Sequence, residues 1–288
     1  FLLLLPAFFT QESEGLTRAF LVKDYEIYYI FISMIIASGL SLLWLMPFYL
    51  KLRFTFDKAL WKRMMRYAFP VLIAGIAFAV NETFDRILLE WLLPPEFSER
   101  AIGLYSACYK LAVFMTLFAT AFRLGVEPFF FSQANTENAP ETYAKITKYF
   151  VAFGALILLT VTVFADLLKV ILIQNPEYWE AMKIVPLILL ANFCLGIYHN
   201  LSVWYKVTDR TRFGDYISVV GAVLTLDANI ILIPHISYMG SAIATVVAYG
   251  SMMWLSYYFG QKHYKIPYDL SKIGTYFVVS IVFSALSF

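Results

Sequence analysis

The sequence predicts an all-α, polytopic transmembrane helix bundle of about nine spans. Three observations carry this: the composition, the recurrence of apolar stretches long enough to cross a bilayer, and an alternation of basic residues between the loops that join them. Of 288 residues, 61% are hydrophobic and 15% charged, where soluble domains hold about 45–50% apolar and about 25% charged residues. Aromatic residues reach 18%, with 27 Phe and 20 Tyr, as expected where rings fill spans and Tyr and Trp sit at headgroup depth. The net charge of +2 is low and the 22 Lys and Arg fall mainly in loops, so no basic face gathers for nucleic acid and no nucleic-acid partner is expected.

A bilayer core about 30 Å thick requires about 20 apolar residues per helix. That length divides the chain into spans at 1–9, 27–50, 68–93, 102–122 with an interfacial extension to 131, 149–173, 183–205, 216–233, 240–259 and 273–288. The first and last are read as incomplete. Residues 1–9 are apolar with no basic stretch before them, so they are read as the end of a span and not as a signal peptide. Cys108 and Cys194 lie singly within apolar runs and read as small packing residues, with neither a disulfide framework nor a metal spacing.

Loop charge tests this division independently, because cytoplasmic loops are enriched in Lys and Arg. The loops at 51–67, 132–148, 206–215 and 260–272 hold 14 basic residues, and those at 10–26, 94–101, 174–182 and 234–239 hold 3. The first set is therefore placed in the cytoplasm. The run of Lys51, Arg53, Lys58, Lys62, Arg63 and Arg66 reads as an amphipathic helix on the inner membrane surface, or as a solvated linker. No loop exceeds about 18 residues, which leaves no room for a soluble catalytic domain. No phosphate loop, dinucleotide fingerprint or zinc helix occurs, so no cofactor or metal is implied and the chain is not read as an enzyme.

Charge at bilayer depth costs several kcal/mol and marks candidate function. The third span holds Glu82, Asp85, Arg86 and Glu90 in nine residues, preceded by Asn81. Glu82, Arg86 and Glu90 follow one another at four-residue intervals, the spacing of a ladder along one helix face. A structural salt-bridge network is the alternative to a functional role. Lys110 lies in the fourth span, level with Asp85 when depth is counted from the short connection between the two, so an Asp85–Lys110 pair is expected if their faces meet. Arg123 and Glu127 read as interfacial, and Asp166 and Lys169 as snorkelling anchors. Asp227, with Asn229, stands mid-span in the seventh and is expected to face the protein interior, either as an ion site or as the partner of a polar group. Asn192, His199 and Asn200 of the sixth span could line the same space. Gly240, Ala244, Ala248 and Ser251 recur near the four-residue spacing of close helix packing.

Three stretches resemble the polysaccharide and O-antigen flippases of the multidrug, oligosaccharidyl-lipid and polysaccharide exporter superfamily. These are Asp85-Arg86 followed by GLYSACYKLA at 103–112, EPFFF at 127–131, and NIILIPHISYMGSAIAT at 229–245 following SVWYKVTDRT. The resemblance implies two six-helix lobes around a cavity that opens to alternate sides. Residues 1–50 would then end the N-terminal lobe, 51–67 form a cytoplasmic basic linker, 68–260 the C-terminal lobe, and 261–288 the start of an extra helix. About four and a half helices of such a fold lie outside the sequence. The implied activity is flipping of a polyprenyl-pyrophosphate-linked oligosaccharide from the cytoplasmic to the periplasmic leaflet of the inner membrane for surface polysaccharide synthesis. Under this reading Arg86, Lys110 and Asn81 contact substrate, Glu82, Asp85 and Asp227 couple transport to protons or sodium ions, and membrane lipid surrounds the rest. A multidrug exporter of the same superfamily, a membrane polymerase or ligase of lipid-linked sugars, and a purely structural subunit are the competing readings.

Overall fold

The computed structural model describes residues 26–51, 56–134, 136–173 and 175–287; the span expected at 1–9 and most of the loop after it lie outside these. The described residues form helices and their connections, and the protein is a polytopic membrane helix bundle. It divides into two compact units, Phe1–Lys62 and Arg63–Phe288. The first contains α1, Glu26–Tyr49, apolar along its length with Pro47 in its last turn.

The second unit is built from α2 (Lys58–Leu92, which begins in the first unit), α3 (Pro95–Gln133), α4 (Ala139–Val163), α5 (Ala165–Leu172), a 3₁₀ segment (Pro176–Ile184), α6 (Val185–Leu201), α7 (Val203–Val207), α8 (Arg212–Ile236), α9 (Tyr238–His263) and α10 (Leu270–Leu286). Stretches at Phe31–Tyr49, Pro95–Gln133, Ala139–Val163, Pro176–Val207, Arg212–Ile236 and Tyr238–His263 are long and apolar enough to cross a bilayer. At 35 residues, α2 is about 52 Å long and exceeds a bilayer core.

Element boundaries differ from expectation where helix physics overrides hydropathy. Lys58, Lys62, Arg63 and Arg66 lie on α2 itself, continuous with the span, and form no separate surface helix. The stretch expected as an interfacial extension is the uninterrupted end of α3, 39 residues in all. Most of the expected loop at 132–148 is helical, because Pro140 sits in the first turn of α4, where a missing N–H costs nothing. The span expected at 149–173 breaks at Phe164 into α4 and the short α5, and 183–205 breaks into 3₁₀, α6 and α7.

Side-chain contacts tie the connections together at each end. At one end Arg100 of α3 pairs with Glu180 of the 3₁₀ segment at 3.1 Å, and Lys183 lies over the Tyr238 ring. At the other, Lys206 of α7 pairs with Glu127 of α3 at 2.5 Å, and Trp204 stacks on His263 with ring centroids 5.7 Å apart. This second end carries the basic connections.

Small residues set the helix spacing. A Cβ on Gly154 of α4 would sit 2.3 Å from the Phe193 ring of α6, and one on Gly196 of α6 would sit 2.5 Å from the Phe150 ring of α4, so each helix offers a socket to the other's ring. The stripe on α9 runs Gly240, Ala244, Ala248, then Met252, Ser256 and Gly260, all buried, while Ser251 stands one position off it. α10 begins at Asp269, whose side chain accepts from the Lys272 N–H at 3.3 Å, and Phe277 on it meets Phe193 with centroids 5.5 Å apart.

The hairpin between α8 and α9 is the tightest approach. A Cβ on Gly240 would lie 2.7 Å from the Leu232 carbonyl carbon, whereas one on Gly250 meets nothing within 4 Å. Gly240→Ala is therefore expected to destabilise by about 1–3 kcal/mol through overpacking against backbone, with Gly250→Ala close to neutral. Thermal unfolding in detergent followed by a thiol-reactive dye reads this directly, because Cys108 and Cys194 are free and buried.

Candidate functional site: a polar seam between α2, α3, α8 and α9

The sequence of α2 turns polar two-thirds of the way along. Ala77, Asn81, Asp85, Leu88 and Leu89 form its buried face, at the three- and four-residue spacing that puts them on one side of a helix. Asp85 is 1% exposed. Its Oδ2 accepts a 2.5 Å hydrogen bond from the Tyr105 hydroxyl of α3, and its Oδ1 has no partner among the described residues. One turn earlier, Asn81 joins α2 to α8: Thr225 Oγ1 donates to Asn81 Oδ1 at 2.7 Å, and Asn81 Nδ2 donates to the Ser218 carbonyl at 3.3 Å. The Tyr249 hydroxyl of α9 lies 3.1 Å from the Asn81 carbonyl and 2.7 Å from Glu82 Oε1, and can donate to either. Further along, Ser241 Oγ donates to Asn229 Oδ1 at 2.7 Å, closing the α8–α9 side. Interhelical hydrogen bonds of this kind contribute about 0.6–2 kcal/mol each in a membrane.

The structure brings Asn81, Glu82, Asp85 and Arg86 together and leaves the other expected residues apart. The ladder of Glu82, Arg86 and Glu90 is not formed. Glu82 is taken by Tyr249, the Arg86 guanidinium lies 4.9 Å from the centroid of the Tyr109 ring, a cation–π contact, and Glu90 is exposed. The Asp85–Lys110 pair is not formed either. The depth count is off by five residues: Tyr105, not Lys110, is level with Asp85, and Lys110 lies about 7.5 Å further along and about 140° round the helix, where it is exposed. Asp227 lies two residues from both Thr225 and Asn229, which are buried, and so stands on the opposite, exposed side of α8. Among the described residues neither Lys110 nor Asp227 has an ion-pair partner.

A cavity of about 120 Å³ opens beside this seam between α2, α3 and α6, with Phe78, Glu82, Thr120, Arg123, Asn192 and His199 on its walls. Arg123 and His199 also line a smaller space of about 20 Å³ that reaches the Lys206–Glu127 pair. Arg123 therefore belongs to a cavity and not merely to the interface, and Asn192 and His199 share that wall. Tyr105, Thr225, Ser241 and Tyr249 were not legible as site residues, because hydroxyl groups carry no charge penalty that would mark them in an apolar span. Their signal lay in spacing: Thr225 and Asn229 are four apart, as are Ser241 and Thr245 and then Tyr249, each set on one buried face.

The buried Asp85, the half-buried Glu82 and the cations Arg86 and Arg123 thus stand within a membrane helix bundle. Sequence comparison agrees with this geometry. The polysaccharide biosynthesis protein family matches residues 16–131, and the MatE family matches residues 95–231, so that together they span 16–231. Both families are members of the multidrug, oligosaccharidyl-lipid and polysaccharide exporter superfamily, to which the chain is similar over these residues. No curated protein and no solved structure matches it. Both families are transporters, and this chain places Asn81, Glu82 and Asp85 where α2, α3, α8 and α9 meet.

The Tyr105–Asp85 bond should be costly to break from one side alone. Tyr105→Phe strands a buried carboxylate with no partner at all and is expected to destabilise by about 1–3 kcal/mol. Tyr105→Phe with Asp85→Leu should recover part of the loss, since removing both polar partners costs less than removing one. The same thiol-dye unfolding measurement gives the two values.

Proposed function

We propose that this exporter flips a polyprenyl-pyrophosphate-linked oligosaccharide from the cytoplasmic to the periplasmic leaflet of the inner membrane, for surface polysaccharide synthesis. The polysaccharide biosynthesis family match supports the substrate class. The observation that carries the reading is Arg123, a cation in a membrane cavity with no ion-pair partner among the described residues. Such a charge is expensive unless a passing anion uses it, and the pyrophosphate of the carrier lipid is that anion. Residues 68–260 supply the C-terminal lobe under this reading, with the basic connections in the cytoplasm and residues 1–50 belonging to the other lobe.

Transport without a nucleotide site draws on an ion gradient or on the substrate gradient. Asp85, with one oxygen unpartnered, and Glu82, held through one oxygen by Tyr249, are the groups proposed to take up a proton or sodium ion. Asn81 positions the two by bridging α2 to α8. Arg86 serves through its stacked position on Tyr109, and Lys110 and Asp227 take no part in the seam.

The MatE match over 95–231 favours a second reading within the superfamily, export of cationic drugs along the aromatic and acidic wall of Tyr109, Tyr249 and Glu82. Complementation of a strain deleted for the full-length gene separates the two. Asp85→Asn and Arg123→Gln are each expected to abolish the surface glycan while the protein still reaches the membrane. A glycan that persists in both variants, with drug resistance lost instead, would favour the drug exporter.

A further inference from the structure

The cavity between α2, α3 and α6 contains polar groups that the protein leaves unsatisfied. Asn192 is 5% exposed, and its Nδ2 has no partner among the described residues. On the same cavity wall, Glu82 has one oxygen engaged by Tyr249; neither its other oxygen nor the Thr120 hydroxyl has a partner among the described residues, and Arg123 also lines the space. Phe78 presents a half-exposed ring on the same wall, 6.5 Å from the His199 ring.

This combination discriminates among ligands. A cationic drug satisfies Glu82 but leaves the Asn192 donor idle and sets its own charge against Arg123. A bare phosphate satisfies Arg123 and Asn192 but sets its charge against Glu82. A sugar ring satisfies all of them, because each hydroxyl both donates and accepts: one can donate to Glu82 while a neighbour accepts from Asn192 and Arg123, and the C–H face of the ring lies on Phe78. At about 120 Å³ the space is well below the roughly 300–1,000 Å³ of drug-sized pockets, which suits one ring and not a whole oligosaccharide.

We propose that this cavity is a saccharide subsite that takes one sugar ring of the lipid-linked substrate, with Glu82 and Asn192 as its hydroxyl-reading pair. The adjoining small space fixes the direction in which the ring enters. It runs from Arg123 and His199 to Lys206, towards the end with the basic connections. The ring lies deeper and the phosphate trails at Arg123, competing with Glu127 for Lys206 across the 2.5 Å pair. This assignment rests on the lipid-linked saccharide reading above and names the part of the substrate that the site recognises.

The test is saturation-transfer NMR on the full-length protein in lipid nanodiscs. The probes are methyl glucoside, methyl galactoside and methyl N-acetylglucosaminide, with tetraphenylphosphonium measured separately. At least one glycoside should show transfer to its ring protons. Asn192→Leu, Glu82→Gln and Thr120→Val should each reduce that signal roughly fivefold, as expected for one lost hydrogen bond, while Arg100→Ala, at the other end of the bundle, leaves it unchanged. Thr120 is exposed, so its replacement does not disturb the core, and unfolding curves show whether the buried variants remain folded. Glycoside signals that are absent, or equal in wild type and all three variants, overturn the proposal, as does transfer to tetraphenylphosphonium alone. Glycoside binding with a surface glycan that survives Asp85→Asn and Arg123→Gln would sink the transport reading and leave the subsite standing. Loss of the glycan in those variants without glycoside binding would sink the subsite alone.

Discussion

A carboxylate in a low-dielectric interior must be partnered, protonated or facing a cavity, and the arrangement of the second unit follows from that constraint at Asp85. The Tyr105 hydroxyl that satisfies one of its oxygens fixes the register of α2 against α3. With that register set, Asn81 falls one turn along, opposite Thr225 and Ser218 of α8, and Glu82 falls opposite Tyr249 of α9. The four helices are held by a connected polar seam whose members polarise and orient one another. The flanking packing is built from small residues and rings: the Gly154 and Gly196 sockets on α4 and α6, and the buried stripe from Gly240 to Gly260 on α9.

Under the proposed function, this division of labour gives the seam its place in transport. Helices that meet through small residues and apolar rings can slide with little cost, since lipid is as apolar as their contacts. Helices joined through a charged seam respond to whatever changes the charge. Neutralising or binding a cation at Asp85 or Glu82 removes the demand that Tyr105 and Tyr249 meet, which biases a two-state element at the contacts where α2 touches α3 and α9. Arg123 of α3 lines the same cavity as Glu82 of α2, so under the proposed function substrate charge and coupling charge would act on one space.

Much of the fold was legible in the sequence because bilayer physics is coarse. Apolar length located the spans, and the alternation of basic loops matches the end of the bundle that carries Lys206, Arg210, Lys262 and Lys265. The boundaries were less legible. Hydropathy does not register that Pro140 starts a helix while Phe164 ends one, nor that α3 continues to Gln133. At the site, charge drew attention to α2 and to Glu82 and Asp85, which lie in the polar seam with Tyr249 and Tyr105 as partners and not with the charged groups expected. Lys110 and Asp227 were selected for charge and depth, and the angular position round the helix excluded both. Tyr105, Thr225 and Tyr249 were missed because a hydroxyl in an apolar run has no cost large enough to mark it. Arg123, read as interfacial from its position near the helix end, lines a cavity because α6 supplies Asn192 and His199 opposite it.

The proposed function is that this protein moves a lipid-linked saccharide, with the α2 carboxylates as its coupling groups. Its most direct test uses the full-length protein in liposomes that contain a short-chain polyprenyl-pyrophosphate-linked sugar. Accessibility of the sugar to an enzyme added outside is followed over time, with and without a proton or sodium gradient. The account predicts gradient-dependent transfer that fails in Asp85→Asn and persists in Arg100→Ala. Transfer that is the same in Asp85→Asn and wild type, or no transfer of the sugar lipid while a cationic dye is moved, would contradict it.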